Sequence, residues 1–155
     1  MTRTELQSFL SSKMEGLEFG DETTQYLTVT VPKENLRDFM FLLRDDEGLA
    51  FDYLFSLTAV DWFPKHLGVV YHIESTKFRH TLVVHVNTSN REDDVSIDTV
   101  SDIYPTAHFH EREAYDLMGI VFEGHPDLRR LFLTEDWVGY PLRKDYVDEA
   151  NMIVK

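Results

Sequence analysis

An α+β domain followed by an extended, loop-rich C-terminal tail is the architecture this sequence predicts, and three observations predict it. Residues 1–120 switch several times between helix-like spacing and strand-like alternation, with no internal repeat. Two neighbouring strand patterns are joined only by Thr76-Lys77-Phe78-Arg79, which makes them a hairpin. The sheet is therefore mixed or antiparallel, with helices packed on one face. From residue 121 to 155, Gly124, Pro126, Gly139 and Pro141 interrupt every pattern, so this stretch reads as a tail docking on a partner.

The elements follow in order. Leu6, Phe9, Leu10 and Met14 recur at helical spacing over Thr4–Lys13, with Thr2 or Thr4 available as the N-cap. Gly16 and Gly20 bracket a break. Over Gln25–Val31, Leu27, Val29 and Val31 alternate with Tyr26, Thr28 and Thr30, the signature of a half-buried strand. Pro32 suits a first helical position, and Leu36, Phe39, Met40 and Leu43 form the apolar face of the helix it opens. That helix ends near Asp45-Asp46-Glu47-Gly48. Phe51–Trp62 predicts a strand, or a strand with a short helical start. Leu67–Ser75 and His80–Asn87 are the hairpin strands, followed by a polar turn over Asn87–Asp94. Ile97, Val100, Ser101 and Tyr104 sit at helical spacing ahead of Pro105, and a second helix runs from about Ala107 or Phe109 to Met118, stopped by Gly119. A short strand is expected at Leu131–Leu133.

Composition narrows the function. At 155 residues, 43% hydrophobic and 13% aromatic, the chain is one globular domain by length. It has no cysteine, which excludes thiolate ligation of zinc or iron–sulfur clusters and a cysteine nucleophile from this chain. A net charge of -13 argues against nucleic acid and anionic membrane as partners. The first residues lack the apolar core of a signal peptide, and no run approaches a membrane helix, so membrane association is expected only through a partner.

The chemistry is concentrated in the last third. His108-Phe109-His110-Glu111 invites a metal site, with Glu113, Asp116 and His125 as further ligands, and a stand-alone metal-dependent hydrolase using His108, His110, Glu111 and His125 is the rival function. Positions i and i+2 of a helix point about 200° apart, however, which separates the two imidazoles. Glu111 and Glu113 could act as an acid/base pair, but Arg112/Asp116 and Glu111/Tyr115 also have i, i+4 spacing, and helix-surface pairing and dipole complementarity explain part of the run. Arg129, Arg130, Arg143 and Lys144 are locally basic spots in an acidic chain. They suit either neutralisation of nearby carboxylates or attachment of the tail to an acidic partner. His72 and His85 lie in strand patterns and read as sheet-surface or satisfied core residues. Phosphate loops, dinucleotide fingerprints, nucleophile elbows and EF-hand loops are absent from the sequence.

Three ordered blocks carry a resemblance: Glu111-Arg112-Glu113-x-x-Asp116-Leu117-Met118-Gly119-Ile120, Gly124-His125-Pro126-Asp127-Leu128-Arg129-Arg130, and Asp136-Trp137-x-Gly139-x-Pro141-Leu142-Arg143-Lys144-Asp145-Tyr146. Together they closely resemble the 30 kDa subunit family of respiratory complex I, the bacterial NADH–quinone oxidoreductase. Tyr140 stands where that family usually has His, His108-Phe109-His110 replaces its usual lead-in, and Phe132 is bulkier than its usual aliphatic. The resemblance implies a non-catalytic scaffold subunit at the cytoplasmic face of the bacterial inner membrane. It implies no cofactor in this chain, with flavin, iron–sulfur clusters and quinone bound by other subunits. The implied partners are the large hydrogenase-like subunit of the quinone-reducing module and other peripheral-arm subunits. Membrane-bound hydrogenases and ferredoxin-linked oxidoreductases share this subunit, so they remain alternative hosts. Glu111, Arg112, Glu113, Asp116, His125, Arg129, Arg130, Trp137, Arg143 and Lys144 are the expected partner-binding residues, with Arg129, Arg130, Arg143 and Trp137 carrying much of the docking energy.

Overall fold

The computed structural model describes residues 1–148; the last seven residues of the expected tail, 149–155, lie outside them. Helix α1 (Arg3–Lys13) opens with a capping box between Thr2 and Glu5 and buries Leu6 and Leu10. Strands β1 (Glu18–Phe19) and β2 (Leu27–Thr30) follow, and β1 fills the break between the two glycines. A 3₁₀ turn over Lys33–Asn35 precedes α2 (Leu36–Asp45), so Pro32 stands ahead of that turn rather than at the first helical position. Leu36, Phe39, Met40 and Leu43 are the buried face of α2, as their spacing predicts.

Strands β3 (Tyr53–Trp62), β4 (His66–Ser75) and β5 (His80–Asn87) form an antiparallel meander, and β2 adds to β5 in parallel. The five-stranded sheet is thus mixed, in the order β1-β2-β5-β4-β3, which leaves β3 at one edge. β3 has no helical start; its irregularity is a register shift between Leu54 and Ser56 that turns Phe55 outward. Alternation sends Val69, Tyr71 and Ile73 of β4 and Leu82, Val84 and Val86 of β5 to one face, where one core cluster joins them to side chains of the helices. The opposite face carries Thr28, Thr58, Val70, His72 and His85, half-buried or exposed.

The expected helix over Ile97–Tyr104 does not form. Ser96–Asp98 is strand β6, parallel to β7 (Val121–Glu123), and a turn closed by the Tyr104 N–H on the Val100 carbonyl completes the stretch. Ile97, Val100, Ile103 and Tyr104 are all buried, so the apolar spacing was real. The ladder decides the conformation: Ser96–Asp98 pairs with β7 and the Thr99 N–H donates to the Glu123 carbonyl, while Glu111 of α3 (Ala107–Met118) accepts the Val100 N–H and the Thr99 hydroxyl. Leu131–Leu133 is likewise no strand. The tail begins with β7, in a ladder with β6, and continues across α3 and the end of β3.

Candidate functional site

Helix α3 is unusual in the residues it buries. Beside Ala107, Ala114 and Met118, its buried set includes Glu111, Arg112 and Asp116. Charged groups are buried only when partnered, and each of these is.

Glu111 Oε1 accepts the Val100 N–H at 2.8 Å and Oε2 accepts the Thr99 hydroxyl at 2.5 Å. Burial nevertheless pushes its carboxyl up to about 7, the two hydrogen bonds only partly opposing that. His125 Nε2 lies 3.9 Å from Glu111 Oε2 but is spent on the His108 carbonyl at 2.9 Å, while its Nδ1 accepts the Asp127 N–H. Those two contacts select the Nε2–H tautomer, and burial holds the imidazole below its usual range.

Asp116 organises the tail. Its Oδ2 accepts three successive backbone N–H groups, from Leu131 at 3.1 Å, Phe132 at 2.6 Å and Leu133 at 3.1 Å. Successive N–H groups of an extended strand point to opposite sides, so convergence on one oxygen excludes the strand expected there. Arg130 closes the site with Nη1 on Asp116 Oδ1 at 3.1 Å. Burial would raise the Asp116 carboxyl, yet the Phe132 and Leu133 N–H groups and the Arg130 guanidinium outweigh it and hold it below the usual carboxylate range. Arg112 does not pair with Asp116. Its guanidinium donates instead to the Arg129 and Arg130 carbonyls, each at 3.2 Å.

A second clamp holds the tail further on. Asp61, at a core-face position of β3, receives both arms of Arg91 and the Lys144 N–H at 2.8 Å. Arg91 also reaches Asp145 at 2.9 Å. Burial pushes the Asp61 carboxyl up, but Arg91 and the Lys144 N–H prevail and hold it low. Between the clamps, the Leu142 N–H donates to the Leu117 carbonyl, and Arg143 Nε donates to the Met118 carbonyl at 2.6 Å. The Arg130 and Arg143 guanidiniums lie 5.1 and 5.0 Å from the Tyr140 ring centre. Gly119 ends α3 at φ 77, and a Cβ there would stand 2.6 Å from the Tyr140 ring; both facts require glycine.

The expected partner-binding residues therefore divide. Glu111, Arg112, Asp116 and His125 are turned inward, and Arg130 and Arg143 lock the tail to the domain. Glu113, Arg129, Trp137 and Lys144 are exposed, and Arg129 forms an ion pair with Asp127. Glu111 and Glu113 are not in the first turn of α3, so dipole complementarity does not explain them. His108 and His110 diverge, the His108 ring lying tilted against His125 with centroids 4.6 Å apart and His110 Nδ1 lying 3.3 Å from the Leu57 carbonyl. Among the described residues no three His, Asp or Glu side chains are grouped to hold a metal ion.

Sequence reasoning missed Asp61, Arg91 and Thr99. Asp61 had a signal, a lone charge in the Leu57-x-Ala59-x-Asp61 alternation of a core face, which demands a partner. Arg91, in a polar turn, had none.

The tail so anchored shows the solvent a row of apolar groups: Phe132, Trp137, Val138, Leu142 and Val147, with Val138 87% exposed. Solvated loops seldom carry so many, and such patches mark protein interfaces.

The chain is similar to known proteins in sequence and in fold. The family model for the respiratory-chain NADH dehydrogenase, 30 Kd subunit, matches residues 29–151. The chain is 52% identical over 123 residues to an NADH-quinone oxidoreductase C/D subunit of Phocaeicola vulgatus, covering 79% of this chain and 23% of that one. It is 51% identical to the NADH-quinone oxidoreductase C subunit of Chloroherpeton thalassium over 68% of this chain and 44% of that one. The chain thus spans less than half the length of these two relatives. Against the same subunit of Geotalea uraniireducens it is 43% identical, covering 90% of this chain and 82% of that one. Among solved structures, the trypsin-resistant fragment (1-134) of Nqo5 superposes with a TM-score of 0.70 at 31% identity, covering 82% of this chain and 100% of that one. A chain of the archaeal membrane-bound sulfane sulfur reductase, a respiratory membrane complex, superposes with a TM-score of 0.80 at 27% identity, covering 95% of this chain and 86% of that one.

Proposed function

The chain belongs to the respiratory-chain NADH dehydrogenase 30 kDa subunit family, and from that premise we propose that it is a non-catalytic scaffold subunit of a proton-pumping NADH–quinone oxidoreductase. In this reading it sits in the peripheral arm, at the cytoplasmic face of the membrane, and packs beside the large hydrogenase-like subunit of the quinone-reducing module. Flavin, iron–sulfur clusters and quinone are held by other subunits. Contact with the membrane is through partners; among the described residues no helix is long and apolar enough to cross one.

The observation that carries the reading is the strapped tail. Two buried carboxylates, Asp61 and Asp116, hold a loop-rich segment on the domain so that Phe132, Trp137, Val138 and Leu142 face outward together. Holding exposed apolar groups in one conformation lowers the entropy lost when they dock. The docking set proposed is therefore Glu113, Arg129, Trp137 and Lys144 with these apolar neighbours. Glu111, Arg112, Asp116, His125, Arg130 and Arg143 shape the surface from beneath.

Affinity capture of the tagged chain from gently solubilised host membranes, followed by mass spectrometry, tests the proposal. Recovery with a large hydrogenase-like subunit and iron–sulfur proteins is expected. A Trp137→Ala, Val138→Asp variant should lose them while keeping its circular dichroism. Recovery of the wild-type chain alone refutes the scaffold reading. A second reading, the equivalent subunit of a membrane-bound complex with another electron donor or acceptor, is favoured by the superposition on the archaeal sulfane sulfur reductase chain. The donor-side subunits captured distinguish the two.

A further inference from the structure

We infer that the edge of strand β3 is a second docking site, which takes an extended segment of a partner subunit bearing an apolar side chain and, close by, a Lys or Arg. The inference rests on the scaffold reading above and names one of its contacts.

The register defines which backbone groups point outward. Leu67 of β4 exchanges hydrogen bonds with Thr88 beyond β5, so Leu67, Val69 and Tyr71 direct their N–H and C=O groups toward β5. Their β3 neighbours in the register, Asp61, Ala59 and Leu57, are therefore non-hydrogen-bonded pairs whose backbone groups point away from the sheet. The His110 ring agrees with that parity, meeting the Leu57 carbonyl from outside. Thr106 meets the Leu54 carbonyl in the same way. The Leu57 N–H and both backbone groups of Ala59 meet no donor or acceptor among the described residues. A ten-residue edge strand with a row of unpaired groups is a template for another strand unless it is blunted. Between Leu57 and Ala59 no proline, lysine or register shift falls, the shift lying between Leu54 and Ser56, and His110 takes the Leu57 carbonyl but leaves the Leu57 N–H and the Ala59 groups open.

What lies above those groups is a groove of about 190 Å³ between β3 and α3, walled by Leu57, Ala59, His110, Glu113, Leu117 and Leu142. It is mostly apolar, wide enough for one aliphatic side chain but not for a folded element. Three observations select its occupant. The unpaired N–H and C=O groups require a backbone in extended form, as in strand addition. Glu113 is exposed at the groove with no ion-pair partner among the described residues, in a chain of net charge -13, so the complementary side chain is cationic. Leu142 belongs both to this groove and to the exposed apolar row of the tail, which makes the two surfaces continuous.

The test uses the full tagged chain in its host. Ala59→Pro removes the outward N–H and fills its place with the ring, a substitution edge strands tolerate on their solvent side. Glu113→Lys reverses the charge at an exposed position and leaves the core untouched. Each is expected to lower recovery of the partner subunit at least tenfold relative to wild type, with unchanged circular dichroism and thermal midpoint. A photo-crosslinker, p-benzoylphenylalanine, installed at exposed Thr58 should attach to a partner-subunit peptide containing a Lys or Arg, whereas the same group at Lys77, on the β4–β5 turn, should not. Wild-type recovery of partners with both variants unaffected overturns the inference and leaves the scaffold reading intact. A crosslink from position 58 to a second copy of this chain, to its own residues, or to a peptide without Lys or Arg also overturns it. Failure of the wild-type chain to recover any partner removes the scaffold reading and this inference together.

Discussion

Replacing Asp116 with Ala should release the tail without unfolding the domain. The carboxylate receives three backbone N–H groups and one guanidinium, and it is fully buried. A net value of about 1.5–3 kcal/mol per charge-assisted bond, taken four times, overcounts, because three donors share one oxygen. The better bound is the loss on removing one partner of a buried ion pair, about 3–5 kcal/mol. Arg130 and the N–H groups of Leu131, Phe132 and Leu133 would lose their acceptor together. At about 1.4 kcal/mol per tenfold, that loss accelerates hydrogen exchange of the Phe132 amide by roughly a hundred- to a few thousandfold. Amides of β4 and β5, whose ladder Asp116 does not touch, should keep their protection to within about 0.5 kcal/mol. Native-state hydrogen exchange read by mass spectrometry separates the two regions. Unchanged exchange at Phe132 would refute the clamp, and an equal loss throughout the chain would refute the claim that the tail opens independently.

Arg91→Ala leaves Asp61 buried without its guanidinium, so the denaturation midpoint should fall by an amount equivalent to about 3–5 kcal/mol, and Asp61→Asn with Arg91→Ala together should recover part of it. Gly119→Ala forces a Cβ into the left-handed region and against Tyr140, which predicts a loss of at least about 1–2 kcal/mol in thermal unfolding; a neutral effect would contradict the packing described. The raised carboxyl of Glu111 has a pH signature. Its folded value of about 7 lies above the unfolded carboxylate value of 4.5, so between those limits the native state binds the extra proton and stability falls as pH rises, by at most about 3 kcal/mol. His125, held below its usual range, acts in the opposite sense, so the wild-type minus Glu111→Gln difference isolates Glu111. That difference should decline from pH 5 to pH 8 in urea titrations, and a flat difference would show that Glu111 is not buried as described.

The C-terminal third shows most clearly where sequence reasoning stops. Its importance was legible, because titratable and aromatic groups are denser there than a solvated loop needs, and the three motif blocks identify its relatives. The orientation of those groups was not. Glu111, Arg112 and Asp116 read equally well as a charged helix surface, and only packing shows that all three face the protein interior. The helix expected over Ile97–Tyr104 failed for a related reason. Its apolar spacing is compatible with a strand and a turn, and the decision came from β7, an element beyond α3 that pairs with Ser96–Asp98.

The sequence by itself determined what local physics controls. Apolar residues three and four apart specify α1 and α2, Pro105 and Gly119 bound α3, alternation specifies β2, β4 and β5, and the short link after Ser75 specifies the hairpin. These signals arise within a few residues, and in these elements the tertiary context agrees with them. The parallel pairing of β2 with β5, the edge position of β3 and the seating of the tail were decided only in three dimensions. Arg91 lies 30 residues from Asp61, and Lys144 lies 83 residues from it, and no pattern in the chain links such positions. They meet because a charge on a buried face must be neutralised within reach of its oxygen atoms, and the fold alone determines which cations and N–H groups are within that reach.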